Sequence, residues 1–373
     1  MGRRLFRLLN GHFLTLVALT NMRAVKKLFI ALSAILIWTA LPAVSANAVS
    51  IGQSCAKTAL GTRVSTRINK KPVIVVCRTV AGRKRWIRAA VQTLVTTTTS
   101  TTTTIPEPVI NYTDVVDPND PTLHTITIEG MQPRTYYLNI PSTYTTSTST
   151  PLLLALHSRT STAKTIFADS QILSWAESMN FIVAGLNGSV YEEASSWNAG
   201  ICCANATTSQ ENDMLFVSTV LDHVTANHSI DKSRVWVMGH SNGGMMAYRL
   251  ACDLSEKITA IAVVAGALMD PTCSPTKPVS IFHLHGNLDP TVPFHGGGKF
   301  ETPSIFHTVQ DMAYRNSCAG SPKESSTAFE ERYIWQCTNG VETQLVNYQE
   351  QSHAWVNGYT EEILRFLFAH PRK

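Results

Sequence analysis

The sequence predicts an α/β fold: a mostly parallel sheet covered by helices on both faces, preceded by a small disulfide-pinned β module. Three observations carry this expectation. Leu152 to His157, Phe181 to Ala184, Val235 to Met238, Ile258 to Val264 and Val279 to His285 are short apolar runs without the polar alternation of half-exposed strands. Such runs fit strands buried on both faces. Helical stretches fall between them, the clearest over about Asp213 to Ala226, with Leu215, Val217, Val220, Leu221 and Val224 on one side, and the last over about Thr360 to Phe368. Strands alternating with helices imply a parallel sheet with helices on both faces. The third observation is Gly239-His240-Ser241-Asn242-Gly243, fed by the apolar run Arg234 to Met238 and followed by Gly244-Met245-Met246-Ala247-Tyr248. A serine hydroxyl is a weak nucleophile, so it is lifted out on a sharp strand-to-helix turn where a base and oxyanion donors reach it, and flanking glycines accommodate that turn.

Ahead of this domain the chain reads in three pieces. Residues 1–48 are expected to be an export signal: Arg23, Lys26 and Lys27 precede the apolar run Leu28 to Leu41, and Ala46-Asn47-Ala48 offers a small-x-small cleavage site. Residues 1 to 21 hold a second basic and apolar stretch, which allows translation to begin at Met22. The run is short for a bilayer, so no stable membrane span is expected, an uncleaved anchor being the alternative. Residues 49–95 form a small basic module, and residues 96–110 a linker, in which Thr96 to Thr104 is threonine apart from Ser100 and leads into Ile105-Pro106-Glu107-Pro108. A uniform polar tract of this kind buries too little apolar surface to order itself. Residues 111–373 are expected to be one domain, opened by a hairpin of Thr125 to Ile128 and Thr135 to Ile140 around Glu129-Gly130.

The formal charge of +5 hides a segregation. No acidic residue precedes Glu107, whereas 16 of the 31 basic residues do, leaving the remainder of the chain with 15 basic against 26 acidic residues. Lys57, Arg63, Arg67, Lys70, Lys71, Arg78, Arg83, Lys84, Arg85 and Arg88 stand with no acidic residue between them. Outside the cytoplasm such a field suits an anionic cell-wall or surface polysaccharide better than nucleic acid, the alternative being a solvated surface without a ligand.

Eight cysteines in an exported chain suggest disulfides. Cys55 and Cys77 bracket the basic module, and Cys318 and Cys337 are near neighbours. Cys202 and Cys203 are adjacent, which strains a mutual bond, so each is expected to reach Cys252 or Cys273. No C-x-x-C spacing supports a metal site, and no metal or organic cofactor is expected.

Ser241 as nucleophile needs an acid and then a histidine from the ends of later strands. His283 and His285 lie in or at the end of a strand, His295 is six residues from the best acid, His307 lies in a helix and His370 in the tail, which leaves His353. His353 follows the expected strand Gln344 to Tyr348, in the polar loop Gln349-Glu350-Gln351-Ser352 before the final helix. Asp289, just past Val279 to His285, would orient it, with Asp270 as competitor. The oxyanion hole is expected from the backbone N–H of Asn242 and of Ser158 or Arg159, in the loop after Leu152 to His157. Trp197, in Trp197-Asn198-Ala199-Gly200, either walls the acyl group or anchors the core; His240 and Trp355, beside the nucleophile and the base, are the other substrate-contact candidates.

These residues resemble the secreted esterase and polyhydroxybutyrate depolymerase family, related to feruloyl and acetylxylan esterases. The likeness spans about Thr122 to Ala369 and rests on Trp197-Asn198-Ala199-Gly200 with Cys202-Cys203, the elbow extended through Arg249, His283-Leu284-His285-Gly286 leading to Asp289, and His353-Ala354-Trp355. The resemblance implies an α/β-hydrolase fold, a Ser241, Asp289, His353 triad, and esters of wall phenolic acids, acetylated sugars or short hydroxyalkanoates as substrates. Two departures from the family pattern are Ser158, where a glycine is usual, and Gln349 to Ser352 in place of a glycine-rich approach to the histidine. The alternatives are a serine peptidase of similar fold and a surface-binding protein whose hydrolase domain is inert.

Overall fold

The structure, a computed structural model, describes residues 110–191, 194–202 and 212–373, together with the backbone of three strands nearer the N-terminus. The chain divides into two compact units, Met1–Thr104 and Ile105–Lys373. In the first, β1 (Arg63–Ile68), β2 (Lys71–Val80) and β3 (Arg83–Arg88) pair antiparallel in that order. Eight of the ten basic residues of the module lie on these strands; their side chains, with the expected signal segment, Cys55, the side chain of Cys77, and Cys203, lie outside the described residues. Among the described residues no helix is long and apolar enough to cross a membrane.

The second unit opens with β4 (Tyr112–Asp117), β5 (Asp120–Ile128) and β6 (Arg134–Asn139). Then follow β7 (Thr150–Leu156), α1 (Ala163–Ser170), α2 (Ile172–Met179) and β8 (Ile182–Leu186), and the small pair β9 (Ser189–Tyr191) and β10 (Ala194–Ser196). Helix α3 (Asp213–Asn227) leads to β11 (Ile230–His240), α4 (Asn242–Asp253), β12 (Ala260–Val264) and β13 (Ser280–Gly286). The chain closes through α5 (Ile305–Arg315), β14 (Lys323–Ser326), β15 (Glu330–Gln336), β16 (Glu342–Tyr348) and α6 (Tyr359–Ala369).

One eleven-stranded sheet runs β14-β15-β16-β13-β12-β11-β7-β8-β6-β5-β4. Its six central strands, β16 to β8 in that order, are mutually parallel; the strands at either end are antiparallel. Every residue of β7, β8, β12 and β13 is buried, as their uninterrupted apolar sequences require. Alternate residues feed two cores. Leu152, Leu154, Val237 and Ile281 pack with Phe216 and Val220 of α3 and Met245 and Met246 of α4 on one face. Leu153, Ala155, Trp236 and Phe282 pack with Ile166 of α1 and Ile363, Leu364 and Leu367 of α6 on the other. Each such aliphatic side chain contributes about 1.5–3 kcal/mol of burial.

The flanking strands β4, β14 and β15 are additions to the expected pattern. Lys323–Ser326 is exposed throughout, so it carries no apolar signature and is ordered by its ladder with β15. The cysteines also depart from expectation. Cys252, in the last turn of α4, is bonded to Cys273 in the loop after β12, their Cα atoms 5.2 Å apart, so neither is left for Cys202 or Cys203. Cys202 is itself disulfide-bonded. Cys318 and Cys337 are joined as their spacing suggested.

Strand order places the site. From β7 the chain moves to β8 on one side, whereas β11, β12, β13 and β16 step away on the other, so the sheet reverses direction of growth between β7 and β11. In open α/β sheets the crevice at the carboxyl ends of such a strand pair is where ligands bind. Here those ends are His157-Ser158 and His240-Ser241.

Candidate active site

Ser241 is the single residue between β11 and α4, held at φ 55° and ψ −119°, outside the regions that an L-residue adopts without strain. Its amide donates to the Val264 carbonyl at 2.8 Å and its carbonyl starts the helix by accepting from Met245. The two glycines of the pentapeptide are required by contact. A Cβ on Gly239 would run into the Gly243 carbonyl, and one on Gly243 into the carbonyls of Leu156 and His157, where α4 presses on the end of β7.

The other two side chains come from the ends of β13 and β16, which are parallel neighbours. Their following loops are stitched together: Asn287 N–H donates to the Tyr348 carbonyl at 2.8 Å and Leu288 N–H to the Gln351 carbonyl at 3.0 Å. Asp289 and His353 are thereby carried to one place. Asp289 Oδ1 accepts the N–H groups of Thr291 and Val292, both at 2.8 Å, and Oδ2 accepts His353 Nδ1–H at 2.7 Å. His353 Nε2 lies 2.9 Å from Ser241 Oγ, in position to accept its proton. Burial alone would raise the Asp289 pKa, but the bonds from His353, Val292 and Thr291 outweigh it and hold the carboxyl below its ordinary value. The carboxylate is fully enclosed while the imidazole is 17% exposed, so the base faces the outside and its partner does not. Asp270, the competing acid, turns back to accept from Thr272 N–H and Oγ1 and takes no part.

The opposite wall is the loop after β7. His157 is buried and neutral, its pKa lowered to about 4 chiefly by desolvation. Its Nε2 accepts from Gly188 N–H at 2.8 Å, and Nδ1–H donates to the Ser158 carbonyl at 2.7 Å. A peptide's C=O and N–H point opposite ways, so fixing the Ser158 carbonyl on the ring turns the Arg159 N–H away from it. Trp197 locks this loop to the elbow: Nε1–H donates to the His157 carbonyl at 3.0 Å, its backbone N–H to Asn242 Oδ1 at 2.7 Å, and its carbonyl accepts from Asn242 Nδ2 at 3.0 Å. Trp197 is 0% exposed, so of the two roles left open by the sequence it takes the anchoring one.

His240 and Trp355 are half-buried beside the triad. The His240 ring lies 5.3 Å from that of His353 and edge-on to Trp355 at 6.3 Å; burial, then the nearby His353, lowers its pKa to about 4. Trp355 Nε1–H is tied to Thr360 Oγ1 at 3.1 Å. His283 and His285, set aside in the sequence as strand residues, and Tyr248, given no role there, are all buried, and of the three His285 lies next to Asp289; two histidines at period two in an otherwise apolar buried strand were the available signal.

The profile of the Phospholipase/Carboxylesterase family matches residues 204–329, about a third of the chain, including Ser241 and Asp289. The fold is the α/β-hydrolase fold. The chain is similar to Feruloyl esterase B of Piromyces equi, 27% identical over 60% of this chain and 43% of that protein. It is likewise similar to Putative esterase NocK of Nocardia uniformis subsp. tsuyamanensis, 31% identical over 42% of this chain and 45% of that protein. Feruloyl esterase C of Emericella nidulans is 28% identical over 48% of this chain and 62% of that protein. The chain therefore spans under half the length of the first two relatives.

Proposed function

We propose that the protein is a serine carboxylesterase that hydrolyses feruloyl or acetyl esters of polysaccharides through an acyl-enzyme. The observation that carries the reading is the unbroken line of hydrogen bonds from Ser241 Oγ through His353 to Asp289 at the crevice where the sheet reverses. The named activities of its relatives support the ester class.

Ser241 Oγ attacks the ester carbonyl as His353 Nε2 takes its proton, and Asp289 steadies the imidazolium through Nδ1–H. The oxyanion is received by the backbone N–H of Asn242, at the N-terminus of α4, and by the Arg159 N–H turned away from the His157 ring. His353 then protonates the leaving alcohol, and water, activated by the same imidazole, releases the acid. Ser158, standing where the related enzymes usually have glycine, supplies no required atom in this scheme, because the N–H in use belongs to the next residue.

Hydrolysis of 4-nitrophenyl acetate, methyl ferulate and 4-nitrophenyl hydroxybutyrate by the wild type and by Ser241→Ala tests this. The substitution should lower kcat by about 10⁴-fold or more. Activity surviving it removes the triad assignment, and turnover of only the hydroxybutyrate moves the substrate to hydroxyalkanoate esters.

A further inference from the structure

We propose that Tyr248, His283 and His285 are positioning residues for Asp289, a one-way chain of hydrogen bonds whose last N–H, given to the Val292 carbonyl, lies beside the carboxylate that holds His353. The inference rests on the catalytic reading above.

The proton positions follow from the one partner that cannot donate. The Val292 carbonyl lies 2.8 Å from His285 Nε2, so that nitrogen carries the hydrogen. In a neutral ring Nδ1 is then the acceptor, and its partner at 3.0 Å, His283 Nε2, must be a donor. That leaves His283 Nδ1 to accept, which it does from the Tyr248 hydroxyl at 2.6 Å. Every hydrogen points the same way along the chain. The opposite tautomers would set a lone pair of His285 against the Val292 carbonyl and leave a buried N–H facing the Tyr248 oxygen.

Both rings are neutral for a physical reason: burial brings the His285 pKa to about 4, and that of His283 well below its ordinary value. Burial pushes the Tyr248 phenol up, so it remains a donor. The titratable groups facing the pair are Tyr248 from α4, Asp289 from the loop after β13, His353 from the loop after β16, and His240 at the end of β11, behind His353.

The chain ends beside the acid. His285 Nε2 is 3.4 Å from Asp289 Oδ2, the same oxygen that takes His353 Nδ1–H. Val292 brackets both residues, giving its N–H to Asp289 Oδ1 and its carbonyl to His285. The N–H that His285 gives to Val292 sets its partial positive charge beside Oδ2, which moderates how strongly that oxygen grips the imidazolium. Three buried polar side chains cost desolvation that apolar residues would avoid, and the position of the chain's end is where that cost is offset in catalysis.

Two readouts test this. In His285→Leu the carboxylate loses the partial positive charge beside Oδ2 and holds the protonated imidazole more tightly. The acid limb of the kcat/KM profile for methyl ferulate should move to higher pH by about half a unit, with kcat/KM at its plateau about five- to tenfold lower. His285→Gln, whose amide supplies a donor and an acceptor at similar positions, should restore the limb. An acid limb in folded His285→Leu that coincides with the wild type, or a Gln variant as displaced as the Leu variant, overturns the proposal. Independently of turnover, ¹⁵N NMR of histidine-labelled Ser241→Ala protein at neutral pH should show both rings as neutral Nε2–H tautomers, assigned through His283 and His285 variants. A Nδ1–H tautomer or a charged ring at either position overturns the chain whatever becomes of the ester reading. Conversely, activity retained by Ser241→Ala overturns that reading while the NMR result still judges the chain.

Discussion

The two walls of the crevice are built by different means. The wall carrying Asp289 and His353 is a run of side chain to side chain bonds, in which each group is both fixed and chemically tuned by the next. The wall carrying His157 to Arg159 is set by backbone, with Trp197 and Asn242 as buried braces that fix where its amides lie. A substitution on the first wall should therefore change chemistry at nearly constant stability. One on the second should change stability first and rate through geometry.

The sharpest test of that contrast is Asp289→Asn. The amide keeps the shape, yet its Nδ2–H presented to His353 Nδ1 favours the wrong tautomer, with Nε2 protonated toward Ser241. We expect kcat to fall about 10³- to 10⁴-fold with a thermal midpoint within a few degrees of the wild type. A midpoint drop large enough to account for the lost activity would show that the first wall is a structural element after all.

That first wall was largely legible in the sequence. Ser241 announced itself by its glycines, and Asp289 and His353 by lying just past the carboxyl ends of expected strands, which the sheet places side by side. Position along the chain suffices there, because a strand end fixes where its next few residues sit. The second wall was not legible. Whether Trp197 faces solvent or core depends on where its loop lands, and Asn242 was read for its backbone N–H while its side chain does the bracing. The same limit hid the partner of Cys252, set by where the loop after β12 returns to α4, and hid β14, whose polar residues are paired only because β15 presents an edge. Side-chain direction in a loop is a tertiary fact.

Asn242→Ala probes the second wall at intermediate size. The backbone N–H expected to meet the oxyanion remains, but a buried amide and carbonyl of Trp197 lose their partners. An unsatisfied buried polar group costs about 1–3 kcal/mol, so denaturant unfolding should show about 2–4 kcal/mol lost. The rate should fall only about tenfold, since the donor is displaced rather than deleted. A rate loss as deep as that of Asp289→Asn, at unchanged stability, would erase the distinction between the walls.

His157 gives the smallest and most specific effect. Its folded pKa of about 4 lies below the ordinary 6.5 because burial disfavours the charged ring. The unfolded chain therefore binds a proton at a pH where the folded one does not, and stability from this residue is fully present above about pH 6.5, declines as pH falls toward 4, and declines no further below that. The slope for one such group is at most about 1.4 kcal/mol per pH unit. His157→Leu removes the titration and should flatten the fall in stability between pH 6.5 and 4 by up to that slope, even though the variant is less stable at neutral pH for want of the bonds to Gly188 and Ser158. Parallel stability curves for the two proteins would mean that the folded imidazole takes up its proton over the same pH range as the unfolded one. Below that range the Gly188 N–H would then have no lone pair to meet.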